Sequence, residues 1–143
     1  MTPFAYTLSI TVSNQFIAFH RWDEAPDEVA FLRQWHRHVF KVRTTVEVSH
    51  ANRQEEFFIV QRAVQELIDG LEGQYVLYSC EQIAELIAQH MQGVKGYILR
   101  EVAVSEDGEN EARLTVLGSA LTSYDSSLSA PVPLSLTSTK ESM

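Results

Sequence analysis

Three histidines in two short segments carry the chemistry most readily read from this chain. His20 closes Phe16-Ile-Ala-Phe-His20, and His36 and His38 flank Arg37 in His-Arg-His. Both segments alternate like β-strands, in which residues two apart share a face. His36 and His38 therefore project side by side, about 7 Å apart along the strand. With His20 on a neighbouring strand, three imidazoles converge on one point. That is a donor set for a metal ion with a fourth position left open.

Parity supports the convergence. His36, His38, Phe40, Val42, Thr44, Val46 and Val48 alternate with Arg37, Val39, Lys41, Arg43, Thr45 and Glu47. Leu8, Ile10, Val12, Phe16, Ala18 and His20 likewise oppose Thr7, Ser9, Thr11, Ser13 and Gln15. All three histidines fall on the apolar face, where an imidazole needs a partner to offset its desolvation. Two readings stand: a metal triad, or hydrogen-bonded core and surface histidines. Asn14 interrupts the apolar face, and a bulge there would turn His20 to the other side.

The elements that must position these rings follow from periodicity. Residues 5–20 and 35–49 read as strands, joined by a polar, acidic loop containing Asp23, Glu24, Asp27 and Glu28. Phe57, Val60, Val64, Leu67, Ile68 and Leu71 form one stripe of a helix that Gly70 and Gly73 end. Ser79-Cys-Glu-Gln82 has the form of a capping box, followed by an Ile83, Ile87, Met91 stripe that stops at Gly93. Residues 97–106 alternate with Ile98, Val102 and Val104 inward. Asp107-Gly108 is a hairpin-type turn, and residues 112–116 make the last strand. The expected order is β-β-α-α-β-β: a four-stranded antiparallel sheet with two helices on one face, of α+β class. Residues 1–118 form this domain. From Ser119 onward 11 of 25 residues are Ser or Thr, so residues 119–143 are set apart as a tail with docking residues Val132, Leu134 and Leu136.

At 143 residues, 45% apolar and 21% charged, the chain is sized for one globular domain. A net charge of −8 argues against general nucleic-acid or anionic-membrane binding. No apolar run reaches the ~20 residues of a membrane span. The single cysteine, Cys80, precludes an internal disulfide, and a cytoplasmic location is the expectation.

Residues 5–117 resemble the 6-pyruvoyl- and 6-carboxy-tetrahydropterin synthases. Phe16-Ile-Ala-Phe-His20-Arg is similar to their Phe-x-Ala-x-His-Arg, and His36-Arg-His38-Val-Phe40-Lys-Val to their His-Gly-His-Asn-Tyr-x-Val. Glu56-Phe57 stands where they have Asp-Phe. Ser79-Cys80-Glu81-Gln82-Ile83-Ala84 is similar to their Thr-x-Glu-Asn-Leu-Ala, and Val102-Ala-Val104-Ser-Glu106 to their Val-x-Val-x-Glu-Thr. The resemblance implies a tunnelling fold and zinc (Zn2+) held by His20, His36 and His38. It implies a pterin anchored by Glu106, with Ser79, Cys80 and Glu81 lining the pocket. The implied substrate is 7,8-dihydroneopterin triphosphate or a related pterin, in pterin or queuosine and 7-deazaguanine-precursor biosynthesis. The implied assembly is a homo-oligomer, trimer or hexamer, whose sheets join into a barrel.

Departures from the family pattern fall on the reacting groups. Leu32 stands at the position of the family's catalytic cysteine, and Glu72-Gly73 where an Asp-His pair is usual. General base catalysis is worth about 10²–10⁴-fold, so its loss would cripple the usual carbon–oxygen lyase reaction. Glu72 and Glu28 are the candidate substitutes, ahead of Glu24 and Asp27. A helix N-terminus favours a thiolate, which keeps Cys80 in view. Two functions follow: a zinc-dependent pterin synthase, or a degenerate zinc- and pterin-binding paralogue acting as a subunit or sensor.

Overall fold

The computed structural model describes residues 4–118, so the expected tail lies outside the described residues. Strands β1 (Leu8–His20) and β2 (His36–Val48) pair antiparallel without interruption from Leu8–Val48 to His20–His36. No bulge forms at Asn14. Its amide nitrogen instead donates to the Gln61 carbonyl and the Gln65 side chain, at 3.1 and 3.0 Å, so the buried NH2 is bonded without disturbing parity, while Oδ1 has no partner among the described residues.

Helix α1 (Phe57–Ile68) is capped by Glu56, whose carboxylate accepts from the N–H groups of Phe58 and Ile59. Val60, Val64 and Ile68 recur every fourth residue and are buried. Phe57, expected in that stripe, is 58% exposed because the first turn lies at the end of the sheet, beside Leu8 and Val48. After α1, Gly73 adopts φ +73° and turns the chain into a two-residue strand β3, Tyr75–Val76, parallel to β1.

Helix α2 (Cys80–Ala88) begins with the expected capping box: Ser79 Oγ accepts from Gln82 N–H and the Gln82 side chain accepts from Ser79 N–H. A π-helical turn, Gln89–Val94, extends it and buries Met91. Strands β4 (Leu99–Glu106) and β5 (Asn110–Thr115) close the sheet as a hairpin.

The sheet is therefore five-stranded and mixed, in the order β3-β1-β2-β4-β5, rather than four-stranded and antiparallel. Two residues are too few for β3 to display the period-two signal of a strand. A second departure lies in β4. The register shifts so that Thr45 faces Glu101 while Val46 faces Leu99, leaving Arg100 as a bulge. Leu99, rather than the expected Ile98, is thereby turned into the core.

Both helices cover one face, α1 over β1 and α2 over β4 and β5. Phe16, Phe40, Val42, Val64, Ile83, Ile87 and Val102 form the core between the layers. The opposite face carries charge: Glu111 accepts from Arg43 and from Arg113, at 2.9 and 2.7 Å. Among the described residues no helix is long and apolar enough to cross a membrane.

Candidate metal centre

The site is built at the end of the sheet where β1 stops and β2 starts. His20 and His36 are direct cross-strand partners, and His38 stands one side-chain step further along β2. Their ring centroids form a triangle of 4.5, 4.9 and 5.2 Å, and one ligand atom from each lies within 4.8 Å of the others. Phe40 supports this cluster from below. It stacks on Phe16 at 5.1 Å and presents its ring to His20 and His38 at 5.2 and 5.8 Å.

Each imidazole is held through Nδ1. That of His20 donates to the Tyr78 carbonyl at 3.0 Å, that of His36 to the Gln34 carbonyl at 2.7 Å, and that of His38 to the Asp107 carboxylate at 2.6 Å. A carbonyl or ionised carboxylate can only accept, so Nδ1 carries a proton in each ring, and a neutral ring held this way presents its lone pair at Nε2. Outer hydrogen bonds of this kind fix metal-ligating histidines. Hydrogen bonding to Val39 N–H and then to His38 holds the Asp107 carboxyl below the usual carboxylate range.

Glu106 meets the triad from the other side. Its carboxylate oxygen lies 3.0 Å from His20 Nε2 and 3.7 Å from His38 Nε2. The inward acid on β4 thus finds its partner in His20. With Nδ1 already donating to Tyr78, His20 could serve Glu106 as well only as an imidazolium. Burial opposes that charge more than any other influence, and His20 is held below its ordinary pKa. A cation among the Nε2 atoms and Glu106 removes the conflict. Three imidazoles each fixed through Nδ1, with Nε2 turned toward one point beside a carboxylate, fit a divalent metal ion.

The cleft next to the triad, about 350 Å³, is lined by His20, Ser79, Cys80, Glu81 and Glu106 together with Asn110, Glu111 and Arg113. All four residues expected to meet a ligand therefore line one cleft together with His20. The contribution of the edge strand β5 was missed: Asn110 shares the face of Glu106, while Glu111 and Arg113, whose register belongs to the charged outer face, border the cleft from the sheet's edge. Its exposed Asn110, Glu111 and Arg113 alternate weakly with small apolar residues and carry no motif, although hairpin pairing with β4 would have placed Asn110 opposite Glu106. Cys80 does not have a lowered pKa. Burial first, then the charges of Glu106 and Glu81, push its thiol up to about 12, against the pull expected of a helix N-terminus.

The candidate bases separate. Glu72 accepts from the Ile17 N–H at the outer edge of β1, so its carboxylate is committed to the sheet. Glu28 is exposed on the 3-10 stretch Asp27–Arg33, within the loop that joins the histidine-bearing strand ends. That loop is clasped by Trp22 N–H to the Leu32 carbonyl at 2.7 Å and by Arg33 to Asp27 and the Ala25 carbonyl. Arg37 and Lys41 are exposed, and alternation points them to the face away from the triad.

No family model matches the chain, and neither does any curated protein. Solved structures do match in three dimensions. The 6-pyruvoyl tetrahydropterin synthase of Caenorhabditis elegans superposes at TM-score 0.63 and 11% identity, covering 78% of this chain and 96% of that one. An uncharacterized protein from Wolinella succinogenes gives 0.61 at 13% identity, over 78% and 99%. The 6-pyruvoyltetrahydropterin synthase of Plasmodium vivax gives 0.58 at 12% identity, over 77% and 98%, in forms where a catalytic glutamate is replaced by alanine or by cysteine. The chain has the fold of these synthases, at a sequence distance that marks it as divergent.

Proposed function

We propose that the protein is a zinc-dependent, 6-pyruvoyl- or 6-carboxy-tetrahydropterin synthase-like lyase acting on 7,8-dihydroneopterin triphosphate or a related pterin. The observation that carries this reading is the convergence of His20, His36 and His38 beside Glu106, in a cleft that also contains Ser79, Cys80 and Glu81. Zinc held by the three Nε2 atoms would supply Lewis acidity, making a proton on the carbon next to a coordinated oxygen easier to remove. Glu106 would turn its carboxylate to a pterin ring N–H and exocyclic amine, accepting two parallel hydrogen bonds.

Glu28 is the base in this reading. The Plasmodium vivax enzyme shows that a glutamate can be a catalytic residue on this fold. Glu28 belongs to the loop bridging the two ligand-bearing strands and has no hydrogen-bond or ion-pair partner among the described residues. The alternative, a metal- and pterin-binding subunit or sensor without turnover, is favoured by the commitment of Glu72 to Ile17 and by Leu32 where the family has its cysteine. We place either protein in the cytoplasm and in a homo-oligomer, trimer or hexamer, because β1 leaves most of its outer edge open beyond the two pairs it forms with β3.

Zinc-loaded protein incubated with dihydroneopterin triphosphate tests the reading by product formation. Turnover that falls about 10²–10⁴-fold in Glu28→Gln supports it. Pterin binding that is lost in Glu106→Ala, with no product from the parent protein, selects the sensor. Unchanged zinc content in His36→Ala would remove the metal assignment.

A further inference from the structure

The β4–β5 turn places a second acid against the triad. Asp107 sits at φ 55° and is followed by Gly108 at φ 75°, with Glu109 N–H donating to the Glu106 carbonyl at 2.9 Å. Two successive residues at positive φ make the tight hairpin turn that glycine adopts at least cost, and asparagine or aspartate next. A glycine at 107 would therefore suit the backbone better. What aspartate adds is its carboxylate, which the left-handed conformation turns back over β2. One oxygen accepts from Val39 N–H at 2.9 Å and the other from His38 Nδ1 at 2.6 Å, while the Asp107 N–H itself donates to the Val39 carbonyl at 2.7 Å.

Three bonds thus lock the turn onto the strand that carries His38. The other two histidines lean on backbone carbonyls, Tyr78 for His20 and Gln34 for His36. Among the three, only His38 has a carboxylate, rather than a backbone carbonyl, at its Nδ1.

We infer that Asp107 is a positioning residue for the metal centre: it fixes the His38 tautomer with Nε2 unprotonated and raises the basicity of that nitrogen toward a bound divalent ion. The inference rests on the metal reading of the triad. Carboxylate–histidine pairs of this kind change metal affinity by about 10–100-fold. Asparagine is a sharp probe, because its single oxygen cannot serve both donors. With the oxygen on Val39 N–H, its amide faces Nδ1 and moves the ring proton to Nε2, the ligand atom.

Full-length protein, Asp107→Asn and Asp107→Gly are stripped of metal and titrated with zinc against a competing chelator. Both substitutions suit the positive φ but give up side-chain bonding to β2, so metal-free melting of each variant is measured beside its zinc affinity, and affinities are compared only where each variant is fully folded. Zinc affinity about 10–100-fold weaker in both variants, with an altered cobalt absorption spectrum in Asp107→Asn, supports the inference. Affinity within about two-fold of the parent in Asp107→Asn overturns it. His36→Ala separates the two levels: lost binding there with unchanged Asp107 variants defeats this inference alone. A parent protein that does not bind zinc defeats the metal reading and the inference with it.

Discussion

His20 Nε2 lies 3.0 Å from a Glu106 oxygen, on a ring whose Nδ1 already donates to the Tyr78 carbonyl. One neutral imidazole cannot satisfy both acceptors. The His20–Glu106 contact therefore depends on the protonation of the ring, and that dependence has a pH signature.

Burial holds the His20 pKa below its ordinary 6.5, with His36 and His38 acting the same way against Tyr78 and Glu106. In the unfolded chain the ring takes up a proton near its ordinary value, whereas the folded chain resists it. Stability from this residue is complete above about pH 6.5 and declines as pH falls below it, toward the lower folded value. The lowered carboxyls, Asp107 and Glu111 among them, lose their contributions at more acidic pH and leave this window clear. Melting of chelator-treated protein between about pH 8 and pH 5 should show the decline, deepened in Glu106→Gln. A flat profile would contradict it.

Phe40 joins stability to ligand geometry. It is fully buried, stacked on Phe16 and set under both His20 and His38. Phe40→Ala should cost about 3–5 kcal/mol by denaturant unfolding and also weaken zinc binding. Ile68→Ala, buried on α1 behind β1, should cost about 2–5 kcal/mol and leave zinc affinity unchanged. Equal effects on the metal from both variants would remove the special role of Phe40.

Cys80 should be a poor nucleophile. Its thiol, raised to about 12, stays protonated at neutral pH, so iodoacetamide at pH 8 should label the native protein far more slowly than the unfolded one. Fast native labelling would show a thiolate and return Cys80 to the list of reacting groups.

Ser79 caps α2 through its hydroxyl, so Ser79→Ala should lower stability by about 1 kcal/mol. Ser79→Asp, which keeps a capping oxygen, should recover most of that loss. If the alanine variant instead retains full stability and loses pterin binding, the hydroxyl serves the ligand and not the helix.

The triad, the capping box and the Asp107-Gly108 turn were legible because each is a local pattern: parity, a four-residue cap and a positive-φ pair. Glu106 was legible through the same parity, since Val102, Val104 and Glu106 share a face downstream of the bulge. What escaped depends on tertiary pairing. The Arg100 bulge reverses the facing of Ile98 and Leu99, and nothing in their residue types distinguishes them. Strand β3 exists only because Gly73 sets Tyr75 and Val76 against β1. Asp107 read as a turn residue; its grip on His38 requires β2 to lie beside the hairpin. Exposure at Phe57 follows from where the sheet ends, which the helix period does not encode.

Asn14 settles an ambiguity that apolar alternation leaves open. A sheet whose side chains repeat every second residue is indifferent to sliding by two, because each such step returns Val, Phe and Ala to the interior. The amide is not indifferent: displaced by one repeat along α1, it would lose Gln61 and Gln65 together and stand desolvated. It acts as a detent, holding β1 at one station along α1 and with it the point beyond the helix at which His20 arrives.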